Sequence, residues 1–419
     1  MGKTSNTWLL GLDIQVWILA AGRLLSHIGT GFVMFYAPIF FVNDVGLTAT
    51  QVGLALGSGS ISGILGRFVG GSWADNPQWG RKKTLLVALA IAAVADLVFA
   101  STNTFSMLVA GNLLQGLGIG LYWPATETVV ADLTTGEQRN EAFAIARLAD
   151  NVGLGLGVIL GGVIISTLDN YRLLFVLDGI TFVGFFWLIF FAIQESQTYQ
   201  HPDGGPSPSI FESWFKALRD RRLVVFLAVN IVFTIYISQI QSTAPLYLTN
   251  FADVQPQLIS ILFTWHVVFA SVCQLPVARL LNRFSRPKAL MVSLLFWGIG
   301  FIVMGGVGMA TFPVFVGAIA SLGILSFAVV TYTPSASALV VDLAPESQRG
   351  VYLALNSQCW AIGYFIGPPL GGWALDQAPA IAHGFWLVAA LSIVPCIGVS
   401  LFLEQLLGQK SPSSAPSKQ

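Results

Sequence analysis

"VVADLTTGEQR" runs from Val129 to Arg139, and "LVVDLAPESQR" runs from Leu339 to Arg349. Extended without gaps at a constant offset of 210, residues 124–162 align with 334–372, with twelve identities in thirty-nine positions. They include Pro124/Pro334, Asp132/Asp342, Gln138/Gln348, Arg139/Arg349, Gly153/Gly363, Gly157/Gly367 and Gly161/Gly371. Shared greasiness alone does not preserve Pro, Asp, Gln and Arg in register. The chain therefore reads as one unit written twice.

Its surroundings say what kind of unit. Apolar residues make up 55% of the chain and charged residues 10%, against about 25% charged in an average soluble domain. This is the composition of a membrane protein. The formal net charge is zero, so there is no basic excess to suggest a nucleic-acid partner. Cys273, Cys359 and Cys396 lie in apolar stretches without metal-type spacing and read as packing residues. No phosphate-binding G-x-x-x-x-G-K-[ST], no H-E-x-x-H and no C-x-x-C is present, which argues against ATP-driven or metalloenzyme chemistry. Neither cofactor nor metal is expected.

A helix crossing roughly 30 Å of hydrocarbon needs about 20 apolar residues. That ruler predicts twelve spans, at residues 16–41, 52–75, 84–101, 106–132, 141–168, 172–194, 223–250, 257–281, 288–309, 312–341, 350–376 and 383–405. The first is too long for a signal-peptide core and is expected to remain as a helix. Sixteen of the twenty Lys and Arg fall on the side of the two termini, and only Arg172 on the other, so the positive-inside bias predicts cytoplasmic termini. The organisation expected is an all-α protein. A six-helix bundle occupies residues 1–194, a cytoplasmic linker 195–222, a second bundle 223–405 and a disordered tail 406–419. Within the linker, "SIFESWFKALRD" (Ser209 to Asp220) has capping-box spacing and one apolar face, as in a helix lying on a leaflet.

A duplicated six-span unit joined by a polar linker resembles the major facilitator superfamily. "GGSWADNPQWGRKK" (Gly70 to Lys83) is similar to that family's loop 2–3 signature, G-x-x-x-D-R-x-G-R-[KR]. Gly71 and Asp75 match its start; Gly80, Arg81 and Lys82 match its end; Asn76 replaces the usual Arg, and two extra residues intervene. A worn copy, "NRFSR", stands at Asn282 to Arg286. The resemblance implies a cytoplasmic latch of the outward-open state, with Asp75 against the start of span 11 and Arg81 paired to Asp132. Arg139, Asp342 and Arg349 are the remaining latch candidates. "GLGLGVILGG" in span 5 resembles the family's antiporter motif with Val158 in place of Pro, while "GYFIGPPLGG" in span 11 keeps Pro368. The same small-residue spacing is also generic helix packing.

Ionisable groups inside a membrane are costly and mark function by default. Among the candidates, Arg23, His27, Arg67, Asp96, Glu127, Arg147, Asp150 and Asp178 lie in spans of the first half, and His266 lies in the second. Depth counted at about 1.5 Å per residue puts Arg23, Glu127, Arg147 and Asp150 in the cytoplasmic half of spans 1, 4 and 5. Glu127 and Asp150 are the proton-carrier candidates, with Arg23, Arg147 and His27 as partners; a static ion-pair network is the alternative. Arg67 is expected to serve that network structurally, and Asp96 and Asp178 to pair between helices. Where drug antiporters often carry an Arg before a Gln-Gly pair in span 4, "NLLQG" has Asn112.

Candidate cavity residues are Phe35, Tyr122, Trp123, Tyr236, Gln239, Gln241, Trp265, His266, Tyr332, Asn356 and Trp360, whose aromatic faces and neutral polar groups suit an amphiphilic molecule. The resemblance implies a monomeric secondary transporter in the cell membrane, a bacterial inner membrane, with a small-molecule substrate, protons and the lipid bilayer as its partners. Proton-coupled efflux of drug-like amphiphiles leads. Uptake of a sugar or organic anion, or lysolipid transport, is the alternative; a non-transporting sensor or scaffold is disfavoured.

Overall fold

The computed structural model describes residues 12–74, 76, 78–134, 137–195, 210–281, 283–311, 313–345 and 348–408. Asp75, the start of the linker and the tail lie outside them, as do the side chains of Arg139 and Arg349. In order, the spans are Ile14–Val33, Ala49–Ala74, Gly80–Ser101, Phe105–Leu133, Glu137–Leu168 and Tyr171–Ala192 in the first half. The second half has Arg221–Phe251, Pro256–Leu281, Arg286–Gly308, Val314–Leu343, Arg349–Leu375, and a final span in two pieces, Pro379–Leu391 and Ile393–Gly408. Span 1 continues through Ala37–Ile39 into a π-helical turn, Phe40–Asp44. The breaks have local causes. A proline removes the N–H that would bond four residues back and crowds that carbonyl; Pro38 and Pro395 stand four residues after Met34 and Leu391, where spans 1 and 12 break.

Among the described residues, ten helices are long and apolar enough to cross a membrane by length and composition. Spans 8 and 11 complete the two six-helix bundles. A short helix, Ile210–Ala217, precedes span 7. It sets Trp214 against Phe68 of span 2, with ring centroids 6.2 Å apart, and leaves Phe215 exposed.

The duplication seen in the sequence is a duplication of contacts. In span 5, a Cβ added at Gly157 would lie 2.1 Å from the Ile28 carbonyl oxygen, and one at Gly153 2.5 Å from that of Leu24, both on span 1. In span 11, Cβ atoms at Gly363 and Gly367 would collide with Thr234 and Ser238 of span 7. The last glycine of each run reaches the other half: Gly162 touches Ser260 of span 8, and Gly372 the Ala49 backbone of span 2. Small residues let helix backbones approach at van der Waals distance, the main source of cohesion where lipid removes the hydrophobic drive. Gly71 of the loop signature makes no such approach: its added Cβ meets nothing within 4 Å, whereas Gly70 packs on Leu121.

Charged ends are duplicated too. Arg81 at the start of span 3 is ion-paired with Asp132 at the end of span 4. Arg286 at the start of span 9 stands 3.5 Å from Asp342 at the end of span 10. Glu195 accepts from the backbone N–H of Arg81 at 2.8 Å and of Lys82 at 3.2 Å. Its counterpart Glu404 accepts from Ser285 Oγ at 3.1 Å and lies 3.5 Å from Lys288. A carboxylate at a helix N-terminus satisfies orphan donors and meets the positive end of the dipole. Gly80 makes room for Glu195, adopting φ +83° where a Cβ would strike that carboxyl. Lys82 turns instead to span 6, donating to the Phe190 carbonyl at 2.8 Å.

The halves meet firmly at the face remote from the termini. Asp376, at the end of span 11, accepts from the backbone N–H of Ala49 and Thr50 at 2.8 and 2.7 Å, capping span 2 from the opposite bundle. Asn43 and Asn250 exchange amide hydrogen bonds of 2.9 and 3.0 Å. Phe35 stacks on Phe263 at 4.4 Å.

Overpacking a filled site costs roughly 1–3 kcal/mol, so Gly157→Ala is expected to lower the thermal unfolding midpoint in detergent by several degrees. Gly384→Ala, whose added Cβ meets nothing within 4 Å, should leave it unchanged; equal midpoints for the two variants would contradict the close-packing account.

Candidate functional site

The charged centre of the first half is built on Asp150 of span 5. Arg23 of span 1 donates from Nε to Asp150 Oδ1 at 2.9 Å and pairs through Nη2 with Oδ2. The fork-to-fork geometry satisfies both carboxylate oxygens at once. Arg23 is only 2% exposed, and its guanidinium lies 5.2 Å from the Trp123 ring centroid on span 4. His27, one turn along span 1, places Nδ1 2.9 Å from the Arg23 carbonyl and 3.3 Å from Asp150 Oδ1. Glu127, one turn beyond Trp123, is exposed and contributes to the field at Arg23. Four of the five proposed coupling residues are thus brought together. Arg147 is not: it is exposed and has no ion pair among the described residues.

Beside this centre lies a cavity of about 410 Å³ between spans 2, 4 and 11. Trp123 and Trp360 line it, with Asn112 and Gln115 of span 4, Arg67 of span 2 and Tyr364 of span 11. Nearer the remote face, Gly53 and Gly57 press on the backbone at Pro368 and Phe365, so the cavity is roofed there by direct contact between bundles.

Several expected cavity residues occupy other places. Tyr236 is 4% exposed, bonded to Ser392 Oγ at 2.6 Å and enclosed by Trp297 and Phe301. Gln239 donates to the Gly367 carbonyl at 2.8 Å, joining spans 7 and 11. Tyr332 stacks on Phe233 and donates to Asn230 Oδ1 at 2.6 Å, while Asn230 donates to Asn356 Oδ1 at 2.9 Å. His266 is held by Ser326 Oγ at 2.7 Å. Phe35 is spent in the remote seal. Gln241 stands behind the cavity, accepting from Tyr364 at 2.7 Å; Trp265 donates to the Ile319 carbonyl at 3.2 Å; Tyr122 packs edge-on against Phe185 at 6.1 Å. Arg67, Tyr364, Gln115 and Asn230 were not chosen from the sequence as site residues. Tyr364 carried the one signal that could have found it, a polar aromatic one turn from Trp360.

Asp96 and Asp178 do not enter the site. Both are buried in the packing of spans 3, 6 and 1, where Gly179 approaches the Asp96 side chain and Gly29 that of Asp178.

The family model described as Major Facilitator Superfamily matches residues 19–254 and 240–418. The chain is 24% identical over 378 residues to the quinolone resistance protein NorA of Staphylococcus aureus (strain MSSA476), covering 87% of this chain and 91% of that one. It is also 24% identical over 394 residues to the uncharacterized MFS-type transporter YqjV of Bacillus subtilis (strain 168), covering 91% of each. Among solved structures, the nucleoside transporter NupG superposes with TM-score 0.78 at 13% identity, covering 94% of this chain and 99% of that one. A bacterial homolog of the human lysosomal transporter Spinster, inward-facing and unoccupied, superposes with TM-score 0.78 at 14% identity, covering 95% and 98%. The match over nearly the whole length, on a duplicated six-span fold with the Arg81–Asp132 pair, makes this chain a member of the major facilitator superfamily of membrane transporters.

Proposed function

We propose that this transporter exports small amphiphilic, drug-like molecules by proton-coupled alternating access, in the cell membrane with both termini in the cytoplasm. The sealed remote face is then the outside, and the conformation is inward-facing. The observation that carries the reading is the Arg23–Asp150 pair at the cavity's edge. A charge pair sequestered in a bundle is strong only while both partners keep their charge. A proton reaching Asp150 releases Arg23, whose remaining neighbours are the Trp123 face and the field of Glu127. Protonation and the shape of the cavity wall are coupled through one side chain. The similarity to the quinolone resistance protein NorA supports efflux over uptake, and the cavity's tryptophans suit an amphiphile.

The latch completes the cycle. In the outward-open state the cytoplasmic ends of spans 2 and 11 close, with Asp75 set against the start of span 11 and the Arg81–Asp132 pair fixing the loop that carries it. Arg139, Asp342 and Arg349 are the further residues assigned to the latch.

Asp150→Asn and Glu127→Gln keep shape but cannot release a proton. The variant that removes the coupling group is expected to lose accumulation driven by a pH gradient by roughly tenfold or more while keeping downhill substrate exchange. Wild-type pH dependence in both would remove these residues from coupling; misfolding of Asp150→Asn that Arg23→Gln repairs would make the pair static.

Asp75→Asn is expected to weaken the closed cytoplasmic mouth without unfolding the protein. Cysteines replacing Ser72 of span 2 and Leu353 of span 11, both exposed, should crosslink less in that background. Unchanged crosslinking and transport would refute the latch.

A further inference from the structure

Arg23 is answered by Asp150 and Arg81 by Asp132, but the arginine that lines the cavity is not. Arg67 lines the cavity from span 2. It was expected to support a structural charge network, yet no hydrogen bond, ion pair or aromatic ring engages it among the described residues. It lies seven residues inside the end of span 2 at Ala74, about 10 Å along the helix. Opposite stand the rings of Trp123 from the first bundle and of Trp360 and Tyr364 from the second, with the amides of Asn112 and Gln115 on the same wall. No carboxylate is among the lining residues.

We infer that Arg67 is the anchor for an anionic group on the transported molecule, and that the preferred substrates are aromatic anions, carboxylates above all. This rests on the proposed transport function and narrows its substrate class. A cation in a partly dehydrated cavity without a counter-charge is a cost to the protein, and a ligand carboxylate offsets it through a planar two-pronged contact that an ammonium could not match as well. The guanidinium fixes one end of the ligand, and the tryptophans, one from each bundle, receive the ring. Closure of the cytoplasmic mouth would then draw both bundles onto one bound molecule. A permanently cationic substrate meets the opposite field and is disfavoured.

The test is equilibrium binding to the detergent-purified protein of three ligands alike in shape, naphthoate, the neutral naphthamide and the cationic naphthylmethylammonium. Binding is read by calorimetry and requires no transport or proton gradient. The wild type is expected to bind naphthoate roughly tenfold or more tighter than naphthamide, as a charge-assisted hydrogen bond implies. Arg67→Gln should abolish that preference while leaving naphthamide affinity unchanged; Arg67→Lys, which keeps the charge on the same helix face, should retain part of it. Trp123→Ala should weaken all three ligands. A wild type that binds all three equally, prefers the cation or binds none overturns the inference, as does a preference for naphthoate that survives in Arg67→Gln. Proton-coupled accumulation of a neutral amphiphile, measured separately, would leave the transport function standing in each of those cases.

Discussion

Asp150 must neutralise Arg23 inside a helix bundle, and much of the first half is arranged around that demand. Gly153, one turn along span 5, lets span 1 come close enough for the two side chains to meet. Phe185 of span 6 fills the space against Gly22, next to Arg23, and also packs against Tyr122. Trp123 offers its ring to the guanidinium and its other surroundings to the cavity. The result is a charge pair inside the bundle, only a ring's thickness from the cavity, where the proposed coupling switch would sit.

The second half is the same architecture with the charge removed. Span 7 replaces Arg23 and His27 with a neutral chain, Tyr332 to Asn230 to Asn356, which ties spans 10, 7 and 11 together without a titratable carboxylate. Glycines in span 11 meet Thr234, Ser238 and Thr243. One bundle therefore has a charge-paired centre and the other a neutral polar frame, while both keep the duplicated end contacts, Arg81–Asp132 with Arg286–Asp342 and Glu195 with Glu404. On the proposed alternating-access cycle, this division would give each half a distinct task as one moves against the other.

Much of this was legible in the sequence because it depends on position along a helix. The offset of 210 anticipated which glycines would be equivalent, the apolar ruler found all twelve spans, and depth counting brought Arg23, Asp150 and Glu127 to one level. What the sequence did not reveal is rotation about the helix axis. Each residue turns a helix by about 100°, so Asp150 and Arg147 are only about 60° apart, and spacing alone does not tell that one is paired to span 1 while the other is exposed. The same blindness sent Tyr236, Gln239 and Tyr332 to the cavity in expectation and into the core in fact. Arg67 was assigned a structural role because Asp75 follows it closely in sequence, yet the cavity lies on its side of span 2. Aromatic and polar residues within a span look alike whether they line a path or lock two helices.

The central claim is that substrate and proton movements are linked through the first bundle. The most direct measurement is of internal pH in proteoliposomes holding only this protein, with a trapped pH-sensitive dye and no imposed pH gradient, as an amphiphilic substrate flows down its own gradient. The account predicts that protons move in the opposite direction to the substrate, at a rate that scales with the protein reconstituted. Substrate flux through the protein without any change in internal pH would contradict it.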